Sequence, residues 1–235
     1  MKRILLAWSS GKDSAWALHA LRQQPGVTIV GLLTTFNEAA GRVSMHAVRR
    51  ELVEAQAATA GLPLWPVFLP WPCSNQDYEE RMRAVCGKAR LDGVQGIAFG
   101  DLFLEDVRQY RERQLSGSGL EPLFPLWQRD TAALAREMLD AGLRAKITCI
   151  DPRKLAPRWV GREFDTEFLA ALPEHVDPCG ERGEFHTFAY AGPMFAQGIS
   201  VSTGAVVERD GFIFADLIPE RGEAGAAASH CPQAG

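Results

Sequence analysis

The stretch KRILLAWSSGKDSAWALHAL, residues 2–21, decides the fold. Its first part, Ile4-Leu5-Leu6-Ala7-Trp8, reads as a strand buried on both faces, because the apolar residues run on without alternation. Its last part, Ala15 to Leu21, reads as a helix. Between them lies Ser9-Ser10-Gly11-Lys12-Asp13-Ser14. A turn from a parallel strand into a helix sits at the carboxyl edge of the sheet, where open α/β sheets take their ligands. The helix N-terminus there offers unpaired N–H groups and the positive end of a dipole. Gly11 allows close backbone approach, Ser9, Ser10 and Ser14 bring hydroxyl donors, and Lys12 brings a point charge suited to phosphate. Together they fit a phosphate or pyrophosphate. The stretch is not a Walker A loop, which needs Gly, four residues, then Gly-Lys-Ser/Thr. Asp13 alone would repel a phosphate. It fits if it holds Mg²⁺ or orients the loop, and its plain structural role is a first-turn aspartate on the helix.

Outward from this stretch, apolar runs alternate with helical patterns. Residues 27–36 read as a second strand, 44–61 as a long helix, 63–70 as an extended segment, 75–93 as a helix, 94–101 as a further strand and 107–119 as a helix ending in glycines. Such alternation predicts βαβ units and a parallel sheet with right-handed crossovers. After Gly119 the character changes: a Pro-interrupted run at 121–127, a helix from Asp130, a strand at 144–151, a helix begun within 161–172, and a Gly/Glu/His cluster. Two extended segments then meet at Asp210-Gly211, a good hairpin turn. The expected fold is α/β: a Rossmann-like parallel sheet flanked by helices, with a smaller C-terminal α+β subdomain. The expected units are a nucleotide domain at 1–118, a substrate-binding subdomain at 119–219 and a disordered tail at 220–235.

The chain has 235 residues, 46% of them hydrophobic, and a net charge of -4. Hydrophobic content suffices for a substantial core. The acidic balance gives no bulk field toward nucleic acid or anionic membranes. No run of about 18 apolar residues exists, so no membrane span is expected. The short apolar run after Lys2 and Arg3 is not a signal peptide. Five cysteines, Cys73, Cys86, Cys149, Cys179 and Cys231, form no CxxC pair. That argues against a disulfide framework and a structural zinc site, and for a cytoplasmic protein.

SSGKDS resembles the SGGKDS-type pyrophosphate loop of the N-type ATP pyrophosphatases, a family with an adenine-nucleotide-hydrolase-like (HUP-type) fold that cleaves ATP between its α- and β-phosphates. Ser10 stands where the usual form has its second glycine. Four further segments resemble the diphthine–ammonia ligase family within that group. In SMHAVRRELVEAQAATAGLPL, His46 follows the second strand; the resemblance puts it at the nucleotide pocket, and a solvated or capping role is the bland reading. In FGDLFLEDVRQYRERQ, Gly100 and Asp101 end a core strand at the same sheet edge, so Asp101 can face the phosphates or their metal. Arg108 and Arg111 lie three apart and share a helix face, fit to clamp an anionic substrate or simply to be solvated. EPLFPLW matches a Pro-Leu-Trp segment in which Trp127 reads as packing. CGERGEFHT crowds Glu181, Glu184 and His186 between glycines, fit to bind a metal or an amine, to act as a general base, or to form a hydrogen-bonded turn.

The resemblance covers about residues 2–187, more weakly to 218, and implies a minimal form of the family. It implies an ATP-dependent ligase that adenylates a carboxylate, releases pyrophosphate and passes the acyl group to ammonia. ATP would bind Ser9 to Ser14, with His46 and Gly100. Lys12, Asp101, Glu184 and His186 would be catalytic, and Asp13 and Asp101 would hold Mg²⁺. Arg108, Arg111, Glu181 and Glu184 would meet the acyl substrate, protein-borne diphthine or a small molecule. No membrane partner is expected, and a homodimer is left open. Two rivals stand: a tRNA-modifying or small-metabolite pyrophosphatase, and a sensor that binds ATP without turnover.

Overall fold

The structure, a computed structural model, describes residues 1–43 and 48–220. Strand β1 (Lys2–Ala7) is central because both its faces are apolar: Ile4 and Leu6 join one core, Leu5 the other. Helix α1 (Lys12–Gln23) follows, then β2 (Val27–Asn37), the two-residue β3 (Arg42–Val43), α2 (Arg50–Ala60), β4 (Leu64–Leu69), α3 (Asn75–Leu91), β5 (Gly96–Ala98), α4 (Glu105–Leu115) and β6 (Glu121–Leu123). β1 pairs in parallel with β2 and with β5, β2 with β4, and β5 with β6. Leu32 and Leu33 pair with β1 on one edge and with β4 on the other, so β1 lies between β2 and β5. The chain therefore reverses its winding at β1, and the crevice outside the carboxyl ends of β1 and β5 is the switch point where such sheets bind ligands.

Past β6 come α5 (Thr131–Asp140), β7 (Arg144–Ile150), the short α6 (Thr166–Ala170), β8 (Phe185–Ala191), β9 (Val201–Arg209) and β10 (Phe212–Pro219). These last strands form a separate antiparallel sheet in the order β8-β7-β10-β9. The β9–β10 turn is Asp210-Gly211, with φ of 54° and 78°, as a type I′ hairpin requires. α1, α2 and α5 pack in one core together with Ile147, Phe185 and Leu217 of the second sheet. α3 and α4 cover the other face of the parallel sheet. Thus one face of the Rossmann-like layer carries the antiparallel unit. Among the described residues, no helix is long and apolar enough to cross a membrane, and Cys73, Cys86, Cys149 and Cys179 are free.

Several boundaries differ from the sequence reading. α1 begins at Lys12, three residues early, because the loop turns directly into the helix. α2 begins at Arg50: Val48 and Arg49 are spent on bridging back to Val43 and Arg42. α6 is only five residues long, capped by Asp165. The Gly/Glu/His cluster runs straight into β8, which the sequence reading left without a strand. Ser44, Met45 and His46 lie outside the described residues, as does the tail from 221 onward.

Candidate functional site

The serine turn leaves β1 at the switch point and is gripped by the second sheet. Strand β8 is an edge strand, and its free edge bonds to the turn. Ala189 N–H donates to the Ser10 carbonyl (2.9 Å), and the Lys12 N–H donates to Thr187 Oγ1 (3.1 Å). From α2, Gln56 Nε2 donates to the Ser10 carbonyl (3.0 Å) and to the Ala189 carbonyl (2.6 Å), while its Oε1 accepts from Trp8 Nε1 (2.8 Å). Gln56 is fully buried. Any of its groups left unpaired there would cost about 1–3 kcal/mol, so this arrangement is strongly specified. Within the turn, Ser9 Oγ donates to Ser14 Oγ (3.1 Å), and Ser14 Oγ donates to the Gly11 carbonyl (2.9 Å).

Ser10 has φ of 70°, a left-handed backbone that favours glycine. Its side chain is wholly buried, and its Oγ has no hydrogen-bond partner among the described residues. β5 stops at Ala98 and does not run on to Asp101; Gly100, two residues past it, lies against the start of α1, where a Cβ would stand 3.1 Å from Asp13 C and Ser14 N. Gly100 thus brings Asp101 close to the turn.

Lys12 is 2% exposed. Its ammonium donates to Asp13 Oδ2 (2.9 Å) and to the Cys179 carbonyl, and it lies over the rings of Phe185 and Phe164. Burial alone would favour the neutral amine, but Asp13 above all, with Cys179 and Asp177 adding to it, outweighs burial and holds the ammonium charged above its ordinary range. The loop that meets Lys12 is organised by Asp177, whose Oδ2 accepts from the N–H groups of Cys179 (3.2 Å) and Glu181 (2.9 Å). Gly180 has φ of 69°, and a Cβ there would fall 2.8 Å from the Phe185 carbonyl, so glycine is needed.

The acidic residues divide by environment. Glu181 Oε1 accepts from Leu102 N–H (2.8 Å). Burial, with Asp13 and Asp101 nearby, pushes its carboxyl up to about 7. Glu184 is 1% exposed; its Oε1 accepts from Asp177 N–H (3.2 Å), and its Oε2 has no partner among the described residues. Asp101, raised by burial against the pull of Arg111, stands 3.6 Å from Arg111 Nε. His186 sits on β8 opposite Cys149, and burial, with Lys12 behind it, lowers its pKa to about 4. At neutral pH its imidazole is uncharged.

The turn, Gly100, Asp101 and Glu181 therefore come together, with Lys12 tied to the 177–184 loop. Arg111 joins them through Asp101. Arg108 is directed elsewhere: its Nε bonds Glu112 (2.8 Å), and its guanidinium lies over Phe124 and Trp127. The two arginines do not converge on one point. Among the described residues Asp13 Oδ1 and Asp101 Oδ2 are buried without a hydrogen-bond partner, Asp101 Oδ2 being the oxygen that faces Arg111 Nε at 3.6 Å. Among the described residues no group of three or more His, Cys, Asp or Glu side chains is set to hold a metal ion. Mg²⁺ commonly takes only one or two protein carboxylates and completes its shell with water and substrate phosphates, so these two oxygens fit it.

Residues 1–122 match the diphthamide synthase N-terminal domain, and residues 130–214 match the diphthamide synthase C-terminal domain. The chain belongs to the diphthamide synthase family. A zebrafish (Danio rerio) diphthine–ammonia ligase is 33% identical over 229 residues, covering 88% of this chain and 90% of that protein. The human diphthine–ammonia ligase is 29% identical over 150 residues, which is 62% of this chain and 56% of the human protein. The chain thus spans little more than half the length of the human relative. Among solved structures, a U34-tRNA thiolase from Methanococcus maripaludis matches with a TM-score of 0.37 and 15% identity, over 59% of this chain and 57% of that one.

Within this diphthamide synthase family member, four site residues escaped the sequence reading: Trp8, Gln56, Asp177 and Thr187. Gln56 had left a signal. It falls on the stripe Leu52, Val53, Ala57, Ala60, so it is a polar residue at a core-facing position of α2. Thr187 carried none, because its partner, the Lys12 N–H, lies 175 residues away; Asp177 bonds within its own loop, to the N–H groups of Cys179 and Glu181.

Proposed function

We propose that the protein is an ATP-dependent amide-forming ligase of the diphthine–ammonia type. One carboxylate oxygen of the acyl substrate attacks the α-phosphorus of ATP. The Pα–O bond to the β-phosphate breaks, and pyrophosphate leaves with its electron pair. Ammonia then attacks the acyl carbon, AMP leaves with the electrons of the C–O bond, and the extra proton on nitrogen passes to a base. The turn Ser9 to Ser14 binds the β- and γ-phosphates through its N–H groups and hydroxyls, with Lys12 supplying positive charge beside it. Asp13 and Asp101 would hold Mg²⁺, which neutralises phosphate charge when bound. Glu181, poised near 7, is the proton acceptor. Glu184 and the neutral His186 shape the acceptor side, and Arg111 meets the acyl substrate through the Asp101 corner. His46 is assigned to the nucleotide by its place in the sequence.

The observation that carries this reading is the junction itself: a phosphate-type turn at the switch point, closed over by a loop that brings a high-pKa carboxyl to it. A site that only sensed ATP would have no use for Glu181 there. The acyl substrate is diphthine on a protein or a smaller carboxylate, and the family membership favours the former. The test is ATP–pyrophosphate exchange with candidate carboxylates. Radiolabel should return to ATP only with the right acid, and Lys12→Ala should abolish it. Exchange driven by tRNA rather than by a carboxylate would replace this reading with a tRNA-modifying one.

A further inference from the structure

The Ser10–Gly11 peptide is pinned from one side. Its carbonyl accepts from Ala189 N–H (2.9 Å) and from Gln56 Nε2 (3.0 Å). The amide of Gln56 has only one workable orientation: the indole N–H of Trp8 can only donate, so it must face Oε1, and the two carbonyls must face Nε2. A trans peptide points its C=O and N–H in opposite directions. With the carbonyl held against α2 and β8, the Gly11 N–H is turned away from them. Among the described residues it meets only the Ser9 hydroxyl, at a long 3.4 Å, a bond that a stronger acceptor can replace. Ser10 holds this orientation at a left-handed φ of 70°.

We propose that Gln56 is a positioning residue: by clasping the Ser10 carbonyl it aims the Gly11 N–H at a terminal phosphate oxygen of ATP. The proposal rests on the nucleotide reading above and adds how the turn is held ready. Gln56 touches no substrate. It acts through one peptide plane, and it couples that plane to the edge of the second sheet through Ala189.

The test compares ATP with AMP, which lacks the phosphates in question, by titration calorimetry on wild type and Gln56→Met. The clasp predicts that Gln56→Met weakens ATP by ~10-fold or more, the scale of one hydrogen bond to a charged group, and leaves AMP unchanged. A merely structural role would weaken both alike, and that result, or no change in either, overturns the proposal. Failure of the wild type to bind ATP at all would sink the nucleotide reading instead. If Gln56→Met does not fold, wild-type amide NMR decides. The Gly11 amide must shift and become protected from exchange when pyrophosphate is added, while Ala189 stays protected throughout. An indifferent Gly11 amide contradicts the clasp.

Discussion

The Lys12 ammonium donates to the backbone carbonyl of Cys179, 167 residues further along the chain, and so ties the first helix of the parallel layer to the acidic loop before β8. The same ammonium bonds Asp13 at 2.9 Å. Removing one partner of a buried pair strands the other, which typically costs 3–5 kcal/mol. Asp13 keeps about a quarter of its side chain exposed, which places the cost near the low end. Lys12→Met should therefore lower stability by about 3 kcal/mol in urea unfolding. A loss below ~1 kcal/mol, the range of exposed pairs, would mean that the lysine is not integral to the junction.

Ser10→Gly should stabilise. The serine is held at φ of 70°, where a Cβ is strained by roughly 1–2 kcal/mol. Its buried hydroxyl has no partner among the described residues either. Glycine's greater freedom in the unfolded chain offsets part of the gain. The expected net gain is about 1 kcal/mol, or a rise in Tm of ~2–4 °C for a chain of this size. A fall in Tm would show that the hydroxyl makes a favourable contact.

Glu181 predicts a stability slope. Burial raises its carboxyl from 4.5 to about 7, so between those values the folded protein holds a proton that the unfolded chain has released. Stability from this group is complete below about pH 4.5 and is lost as pH rises through 7, by up to ~3 kcal/mol. Glu181→Gln should flatten that part of the stability–pH curve. An unchanged slope in the variant would contradict the assignment.

Asp216 predicts the opposite slope. Hydrogen bonds from Arg49, and then from Arg42, outweigh burial and bring its pKa down to about 2. It clamps β10 of the second sheet to residues on both sides of the 44–47 segment, at 2.6 Å to Arg49 and 2.8 Å to Arg42. Its contribution, up to ~2 kcal/mol, is present above about pH 3.8 and is lost as pH falls through 2. Asp216→Asn should be less stable than wild type at pH 7, with the difference vanishing toward pH 2. A difference that persists at pH 2 would mean packing, not charge, is what the variant disturbs.

The individual strands, helices and turns were legible in the sequence because their signals are local. Ile4 to Ala7 is apolar without alternation, Asp210-Gly211 spells a hairpin turn, and Asp130 caps α5 through Ala133 N–H. The turn at Ser9 to Ser14 was legible for the same reason. What could not be read was the junction. Thr187 and Ala189 alternate along β8 like any strand residues, and nothing near them says that the partner is a turn at residues 10–12. Arg108 and Arg111 share a helix face, yet Phe124 and Trp127 capture one and Asp101 the other. Side-chain partners drawn from distant segments are settled by tertiary packing, which spacing alone does not encode.

In the proposed reaction, ATP held by the serine turn breaks at its innermost phosphoanhydride. Phosphorus NMR of a reaction containing ATP, Mg²⁺, ammonia and the acyl substrate tests it most directly. AMP and pyrophosphate should appear in equal amounts, dependent on the acid, and be lost in Lys12→Ala. ADP and inorganic phosphate as the products would contradict it.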